Sequence, residues 1–422
     1  MKLKAMLALA TAFAAAPALA ETVVIHAGSV VADAAGEASG PATITVTDGR
    51  IVSIADGIQA APAGVEVVDL SGKTVAPGLI DLHVHLTGDP GGDFWKEAVE
   101  PDEWGVVVGA KNARITALAG FTTVREAGSA QHTGFSLRRG TAEGLIPGPR
   151  IVAAGPALAI VGGHGDVSGF RPEINQILAS GYSCTGAVEC AEKVRRASQN
   201  GADWIKITAT GGVLSQQGRG LGAHFTSAEM QSIADTAQSL GLKVMAHAHG
   251  ARGVEAASEA GIATIEHGTY LDESAIAAMK ENGTVLVPTL MAFQGISERL
   301  GTGTYTPVVE AKVRAVAEVA KVFMGKAHDA GVKIAFGTDA GVFEHGRNAG
   351  EFGLMMGQGM SSREAFAAAT TVAAEVLEME SEIGRLAPGY SADIIAFDGN
   401  PLEDATVLEE VDWVMVRGRV IE

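Results

Sequence analysis

The sequence predicts an α/β protein, a (β/α)8 TIM barrel joined to a small, discontinuous β-sandwich domain formed by both chain ends. Three observations predict this fold. Both ends read as short strands with Gly-centred turns, the middle alternates apolar strands with Ala-rich helical stretches, and eight such strands can be counted. A chain of 422 residues is long enough for a large domain and a smaller one.

The first 20 residues have the features of a secretory signal peptide. Lys2 and Lys4 precede an apolar, Ala-rich stretch, and Ala18-Leu19-Ala20 forms a small-x-small cleavage pattern. The apolar run has about 16 residues, fewer than the roughly 20 that span a bilayer. We therefore expect a mature chain that begins at Glu21, is exported to the periplasm or secreted, and has no stable membrane insertion.

Residues 21–77 and 389–422 are expected to form the β-domain. Residues 22–75 alternate Val, Ile and Thr between turn signals, as short strands do. The segments ADIIAFDG and VDWVMVRGRVIE repeat this texture near the C-terminus. The two ends are therefore predicted to pair with each other.

The barrel is expected to occupy residues 78–388. An open doubly wound sheet is the alternative, but no Gly-rich phosphate-binding fingerprint follows any strand. Two helix starts carry capping boxes, Thr226 with Glu229 and Ser361 with Glu364 ahead of AFAAATTVAAEVLEME. The eight candidate strands are GLIDLHVH, FTTVREAG, RIVAAGPA, ADWIKITAT, LKVMAHAHG, IATIEHG, TVLVPTL and VKIAFGTDA.

Composition and charge exclude some partners. The formal net charge is −18, only 5% of residues are aromatic, and no stretch resembles a basic patch, so a nucleic-acid partner is not expected. Cys184 and Cys190 lie six residues apart, and an oxidising compartment permits a disulfide between them. Spacing alone leaves two free thiols open as the alternative. Homo-oligomerisation is possible and also stays open.

Histidines, a lysine and an aspartate stand at the ends of five candidate strands. In VAPGLIDLHVHLTGD, His83 and His85 share one face of a strand because successive side chains alternate. In a (β/α)8 barrel the carboxyl ends of the strands converge on the active site. Each residue alone is compatible with a core histidine, a salt bridge or a turn, but the joint pattern favours a metal site. The set is His83, His85, Lys206, His247, His249, His267 and Asp339.

This ordered set resembles the amidohydrolase superfamily over nearly the whole mature chain. The matching text is GLIDLHVHLTGD, GFTTVREAG, GGHGD, GADWIKITATGGV, HAHG, TIEHGTY, GTDAG and GYSADIIAFDGNPL with VMVRGRVI. The resemblance implies two divalent metal ions, with zinc expected and manganese or cobalt open. It implies that His83, His85 and Asp339 bind one metal, that His247 and His267 bind the second, and that Lys206, carboxylated by carbon dioxide, bridges them.

Within the superfamily the chain resembles prolidase-like metallo-dipeptidases, and more narrowly the bacterial Xaa-Arg/Xaa-Lys dipeptidases that act as carboxypeptidases. This implies a small peptide substrate and release of a C-terminal Arg or Lys by a hydroxide that bridges the metals. An Xaa-Pro dipeptidase or a cyclic-amide hydrolase is the alternative. Imidazolonepropionases look similar overall but lack a lysine like Lys206, and a non-catalytic scaffold would be expected to have lost ligands.

Further roles are expected for residues near the strand ends. Asp339 is expected to relay a proton to the leaving amine, and His164, in GGHGD, to bind the scissile carbonyl oxygen as it becomes an oxyanion. His249 is expected to contact either the substrate or the groups that support the metal ligands. Arg252 and Tyr270 are candidate anchors for the substrate carboxylate, since a guanidinium and a phenol both donate hydrogen bonds to it.

Charged loop and strand residues complete the predicted site. An acid opposite the substrate side chain would select Arg or Lys, because a desolvated cation needs a partner. Glu344 and Glu351 in the loop after the eighth strand are the first candidates, with Asp89 and Asp166 in other loops. Arg125, inside the second strand, is expected to form a salt bridge within the barrel.

Overall fold

The structure is a computed structural model that describes residues 21–216 and 220–422. The predicted signal peptide falls on residues 1–20 and lies outside the described residues. Sixteen strands are present in the described part: β1 Thr22–Val30, β2 Ala42–Thr47, β3 Arg50–Asp56, β4 Glu66–Pro77, β5 Leu79–Val84, β6 Phe121–Glu126, β7 Arg150–Ala153, β8 Ala159–Ile160, β9 Ser183–Cys184, β10 Trp204–Thr208, β11 Lys243–Gly250, β12 Thr264–Tyr270, β13 Val285–Val287, β14 Ile394–Phe397, β15 Val411–Val416 and β16 Arg419–Val420.

Both chain ends contribute to one seven-stranded sheet, in the order β16-β15-β14-β4-β1-β2-β3. A bridge between Arg50 and Ser391 brings the β3 edge back toward the segment before β14, so the sheet wraps around its own core. Ile25, Ile44 and Ile394 are among the buried side chains of that core. Apolar β-branched residues on the inner face stabilise the sheet by burying their side chains. The exact domain boundaries stay a prediction.

A parallel barrel follows the sheet. Strands β5, β6 and β7 form one section, and β10 to β13 form a second, with every pairing parallel. The eighth strand is the extended segment 333–340, whose Phe336 carbonyl accepts from Leu82 N at 3.0 Å. On its other side Ala335 N donates to the Leu286 carbonyl at 2.9 Å. The predicted barrel fold is therefore confirmed.

Helices cover the outside of the barrel. Both predicted capping boxes are present, at Thr226 and Ser361. The stretch after Ser361 forms two helices instead of one, because Thr370 adopts a non-helical backbone (φ −131°, ψ −93°). The α-helices are α1 Trp104–Leu118, α2 Thr133–Ala142, α3 Pro172–Leu178, α4 Ala187–Gln199, α5 Ser227–Ser239, α6 Ala251–Glu259, α7 Glu273–Asn282, α8 Leu290–Glu298, α9 Pro307–Ala317, α10 Phe323–Asp329, α11 Gly350–Gly357, α12 Ser362–Ala368 and α13 Thr371–Val376, and short 3-10 helices lie at Phe94–Ala98, Val319–Lys321 and Ala405–Glu409.

The loop after the third barrel strand carries the disulfide. Cys184 in β9 bonds to Cys190 in α4, so the structure contains the expected disulfide and not two free thiols. Strand β9 pairs in parallel with β8 in the same loop. Leu158, directly before β8, donates its backbone N–H to the Lys206 carbonyl at 2.8 Å, so this loop is attached to the fourth barrel strand. Among the described helices, none combines the length and apolar character needed to cross a bilayer.

Candidate metal centre

One group of potential ligands lies where the first and eighth barrel strands end. The ligand atoms of His83, His85 and Asp339 all lie within 4.8 Å of one another. Asp339 Oδ1 is 3.4 Å from His83 Nε2 and 3.2 Å from His85 Nε2. Two imidazoles and a carboxylate converging at this distance are a donor set that divalent metals prefer.

A second group lies beside the first, at the ends of β11 and β12. The ligand atoms of His247, His249 and His267 lie within 4.8 Å of one another. His249 is therefore placed among potential ligands, whereas the sequence predicted a contact with the substrate or with groups that support the ligands. The two groups adjoin, since the rings of His83 and His267 are 5.2 Å apart between centroids.

Lys206 in β10 contacts the first group. Its Nζ lies 3.3 Å from His83 Nε2, and the residue is 4% exposed. Burial lowers the pKa of Lys206 to about 8, while the carboxylates of Glu266 and Asp339 act in the opposite direction. An amine with a lowered pKa is available in its neutral, nucleophilic form more often than an exposed lysine is.

Burial keeps most of these histidines neutral, which is the form that binds a metal. It lowers the pKa of His83 to about 4 and of His249 to about 3. The pKa values of His247 and His267 are also well below the ordinary value because both rings are buried near other histidines. Burial opposes the charge of Asp339, but the nearby histidines outweigh it and lower the pKa of this carboxyl.

Hydrogen bonds on the far side of the rings orient the histidines. His83 Nδ1 donates to Glu266 Oε2 at 2.7 Å, and His85 Nδ1 donates to the Gly128 carbonyl at 2.8 Å. His267 Nδ1 lies 2.7 Å from the Thr289 hydroxyl, which itself donates to the Pro288 carbonyl and so accepts from the ring. These bonds occupy Nδ1 and leave Nε2 of each ring for a ligand.

Glu266 was not predicted from the sequence as part of the site. It is fully buried in β12 and also forms an ion pair with Arg125, at 2.8 Å between Oε1 and Nη2. Arg125 thus makes the barrel salt bridge that was expected. Burial opposes the charge of Glu266, but Arg125 and the hydrogen bond from His83 lower its pKa to about 2. A charged residue inside a buried parallel strand is the signal by which this role is recognisable.

The first and eighth strands are joined beneath the ligands by Asp81. Its carboxylate accepts from the Thr338 hydroxyl at 2.6 Å and from Asn348 Nδ2 at 2.8 Å. The next residue after Thr338, Asp339, has a positive φ of 63°. Non-glycine residues rarely adopt this conformation, so the surrounding bonds hold the Asp339 side chain in its direction.

A sequence model of the amidohydrolase family matches residues 74–421. The chain belongs to this family. Ochratoxinase from Aspergillus niger is 33% identical over 356 residues, which cover 79% of this chain and 72% of the relative. A solved structure of a Xaa-Pro dipeptidase with bound methionine in the active site is 36% identical, with a TM-score of 0.87, and covers 95% of this chain and 100% of that one. A prolidase complexed with N-methylphosphonate-L-proline is 32% identical, with a TM-score of 0.85 and coverage of 95% and 99%.

Family membership confirms the superfamily that the sequence motifs resemble, and it assigns the chain to a class of hydrolases. Amidohydrolases typically bind divalent metals, and the two convergent ligand groups fit such ions. The narrower likeness to Xaa-Arg/Xaa-Lys dipeptidases stays a prediction, because the solved structures described above are prolidase-like.

The remaining predicted residues of this amidohydrolase differ in their distance from the ligands. The ring of His164 lies 4.3 Å from that of His247 between centroids, so the loop residue reaches the second group. Burial lowers the pKa of His164 to about 3. Gly212 packs against it, since a methyl group there would lie 2.4 Å from His164 Cε1.

The two predicted anchors for the substrate carboxylate have no contact with the potential metal ligands comparable to that of His164. Arg252 is exposed at the start of α6, and the described residues offer it no ion pair. The Tyr270 hydroxyl lies 3.4 Å from the Ala315 carbonyl, to which it donates. Tyr270 is thereby directed toward α9.

Four acids were candidates for selecting a basic substrate side chain, and all four have other partners. The prediction for Glu351 is wrong: the carboxylate is fully buried and accepts from Leu290 N and Met291 N at the start of α8. Glu344 contacts Arg299, and Asp89 contacts Lys111. Asp166 accepts from the backbone of its own loop, including Gly162 N at 2.7 Å. No acid of this set is reserved for a substrate.

Proposed function

We propose that this amidohydrolase is a binuclear zinc metallo-dipeptidase that cleaves dipeptides and releases the C-terminal amino acid. The observation that supports the proposal most strongly is Lys206, buried in contact with one ligand group while the second group adjoins it. A carbamate on this lysine would supply two oxygen donors for the proposed metal ions. Its formation joins the Lys206 nitrogen to the carbon of carbon dioxide and releases one proton.

Each residue of the site has a role in the proposed reaction. His83, His85 and Asp339 would hold one ion, His247 and His267 would hold the other, and His249 is close enough to support the second. Two divalent ions, when bound, polarise the scissile carbonyl and make water more acidic. Asp339, as a carboxylate, accepts a proton from the attacking water and passes it to the leaving amine. His164, next to His247, donates a hydrogen bond to the developing oxyanion.

For the substrate we propose dipeptides with an uncharged C-terminal residue, proline included. Two observations favour this choice over the Arg or Lys preference. Two of the similar solved structures are those of an Xaa-Pro dipeptidase with bound methionine and of a prolidase complexed with a proline phosphonate. The four acids that were candidates for binding a basic side chain also have partners of their own.

A dipeptide screen tests this proposal. Enzyme produced with added zinc and bicarbonate is assayed on Xaa-Pro, Xaa-Met, Xaa-Arg and Xaa-Lys with the same N-terminal residue. We expect kcat/KM for Xaa-Pro or Xaa-Met to exceed that for Xaa-Arg by roughly tenfold or more, since an unpaired buried cation costs a few kcal/mol. A higher kcat/KM for Xaa-Arg or Xaa-Lys in the wild type, which disappears in Glu344→Gln, would instead support the Arg/Lys preference. Failure to hydrolyse any of the four would overturn the dipeptidase proposal.

A further inference from the structure

A cavity of about 490 Å³ lies at the end of the barrel opposite the metal centre. Arg150, Trp204 and Lys243 line it, and each is the first residue of a barrel strand. The potential metal ligands stand near the other ends of the strands. The cavity is therefore separate from the proposed catalytic site.

Arg417 enters this cavity from the turn between β15 and β16. The residue is half-buried, and its Nε is buried without a hydrogen-bond partner among the described residues. Its backbone N–H donates to Asp393 Oδ1 at 2.8 Å, which fixes the turn at a φ of 50°. Buried polar groups normally have hydrogen-bond partners, so a guanidinium held in this way is suited to bind a hydrogen-bond acceptor.

Positive charge is in excess around Arg417. Arg150, whose charge acts on Arg417, reaches Glu382 at 3.2 Å and Asp393 at 3.4 Å, and its Nε also has no hydrogen-bond partner among the described residues. Burial and the charge of Arg150 both lower the pKa of Arg417. Three arginines, Arg50, Arg150 and Arg417, lie near the two carboxylates of Glu382 and Asp393.

The other lining cations are already neutralised. Lys243 contacts Glu378 at 2.9 Å, and Arg138 forms an ion pair with Asp203. Apolar side chains, among them Leu377 and Met379, form the rest of the wall. One open cationic group beside an apolar surface is the arrangement that binds an amphiphilic anion.

We propose that this cavity binds an organic anion, with its carboxylate on Arg417 and its apolar part against Leu377 and Met379. The volume lies within the range of small-molecule sites and exceeds what a bare inorganic ion fills. A guanidinium suits the carboxylate because it donates two parallel hydrogen bonds. The site is independent of the dipeptidase proposal.

Calorimetric titration of the full-length mature enzyme with hexanoate tests the proposal. Hexanamide serves as the neutral probe, and inorganic phosphate as the anion without an apolar part. Arg417→Gln is compared with Arg419→Gln, which changes an exposed arginine of the same hairpin. Circular dichroism and the melting temperature check that both variants fold.

We expect hexanoate to bind saturably and more tightly than hexanamide or phosphate. Arg417→Gln should weaken hexanoate binding at least about tenfold, whereas Arg419→Gln should leave it nearly unchanged, because a charge-assisted bidentate contact is lost only in the first variant. The proposal is overturned if hexanoate does not bind or if folded Arg417→Gln binds it as the wild type does. Equal or tighter binding of phosphate would also overturn it.

Discussion

Glu266 joins the metal centre to the barrel interior at the scale of single residues. Its two carboxylate oxygens contact Arg125 and His83 on opposite sides, and all three side chains are buried. A buried ion pair contributes little over an apolar pair, but removing one partner leaves an uncompensated charge. The carboxylate also fixes the orientation of the His83 ring, so it links stability to metal binding.

We expect Glu266→Gln to destabilise the protein by about 3–5 kcal/mol and to weaken metal binding roughly 10- to 100-fold. Chemical denaturation and competition with a chelator measure the two effects. Glu259→Gln, at the exposed end of α6, is the control. In the metal-free protein the lowered pKa of Glu266, about 2, makes its stabilisation complete above the unfolded pKa near 4.5 and lost as pH falls toward 2. An equal loss of stability with acid in Glu266→Gln would contradict this assignment.

The loop after the third barrel strand is the element that the disulfide constrains. Strand β9 carries Cys184, pairs with β8 and so holds the segment that leads to His164. Replacing both cysteines by serine should lower the free energy of unfolding by about 2 kcal/mol, the loop-closure value for so short a loop. We also expect kcat to fall while the metal content stays the same, because His164 is not a proposed ligand.

Reductant provides the control for this prediction. Reduction by tris(2-carboxyethyl)phosphine, which has no thiolates to bind zinc, should lower the melting temperature and kcat of the wild type but leave the double serine variant unchanged. A reduced wild type with full stability and activity would show that the disulfide does not position the loop.

The elements show how far the sequence can be interpreted. The strand order and the convergence of His83, Lys206 and His267 could be predicted because parallel strands align their carboxyl ends at one face. The break between α12 and α13 at Thr370 could not be predicted, since the helix propensity of the surrounding residues favours one continuous helix. Glu351 was assigned to the rim because it follows the eighth strand, yet its partners, Leu290 N and Met291 N, lie about 60 residues earlier in the chain. Such long-range pairing leaves no local signal.

Export concerns the whole molecule and is predicted from residues 1–20, which lie outside the described residues. If residues 1–20 are a signal peptide, protein recovered from the native host should begin at Glu21. Peptide mapping under non-reducing conditions should also find Cys184 bonded to Cys190. An N-terminus at Met1 on that material would contradict processing.

The proposed chemistry depends on two metal ions held by one chain through Lys206. Elemental analysis of purified wild type, Lys206→Met and the surface control Lys333→Met tests it most directly, because the result does not depend on knowing the substrate. We expect about two divalent ions per chain in the wild type and in Lys333→Met, and one or fewer in Lys206→Met, since the bridging ligand is lost. A single ion per chain in all three proteins would contradict the binuclear centre.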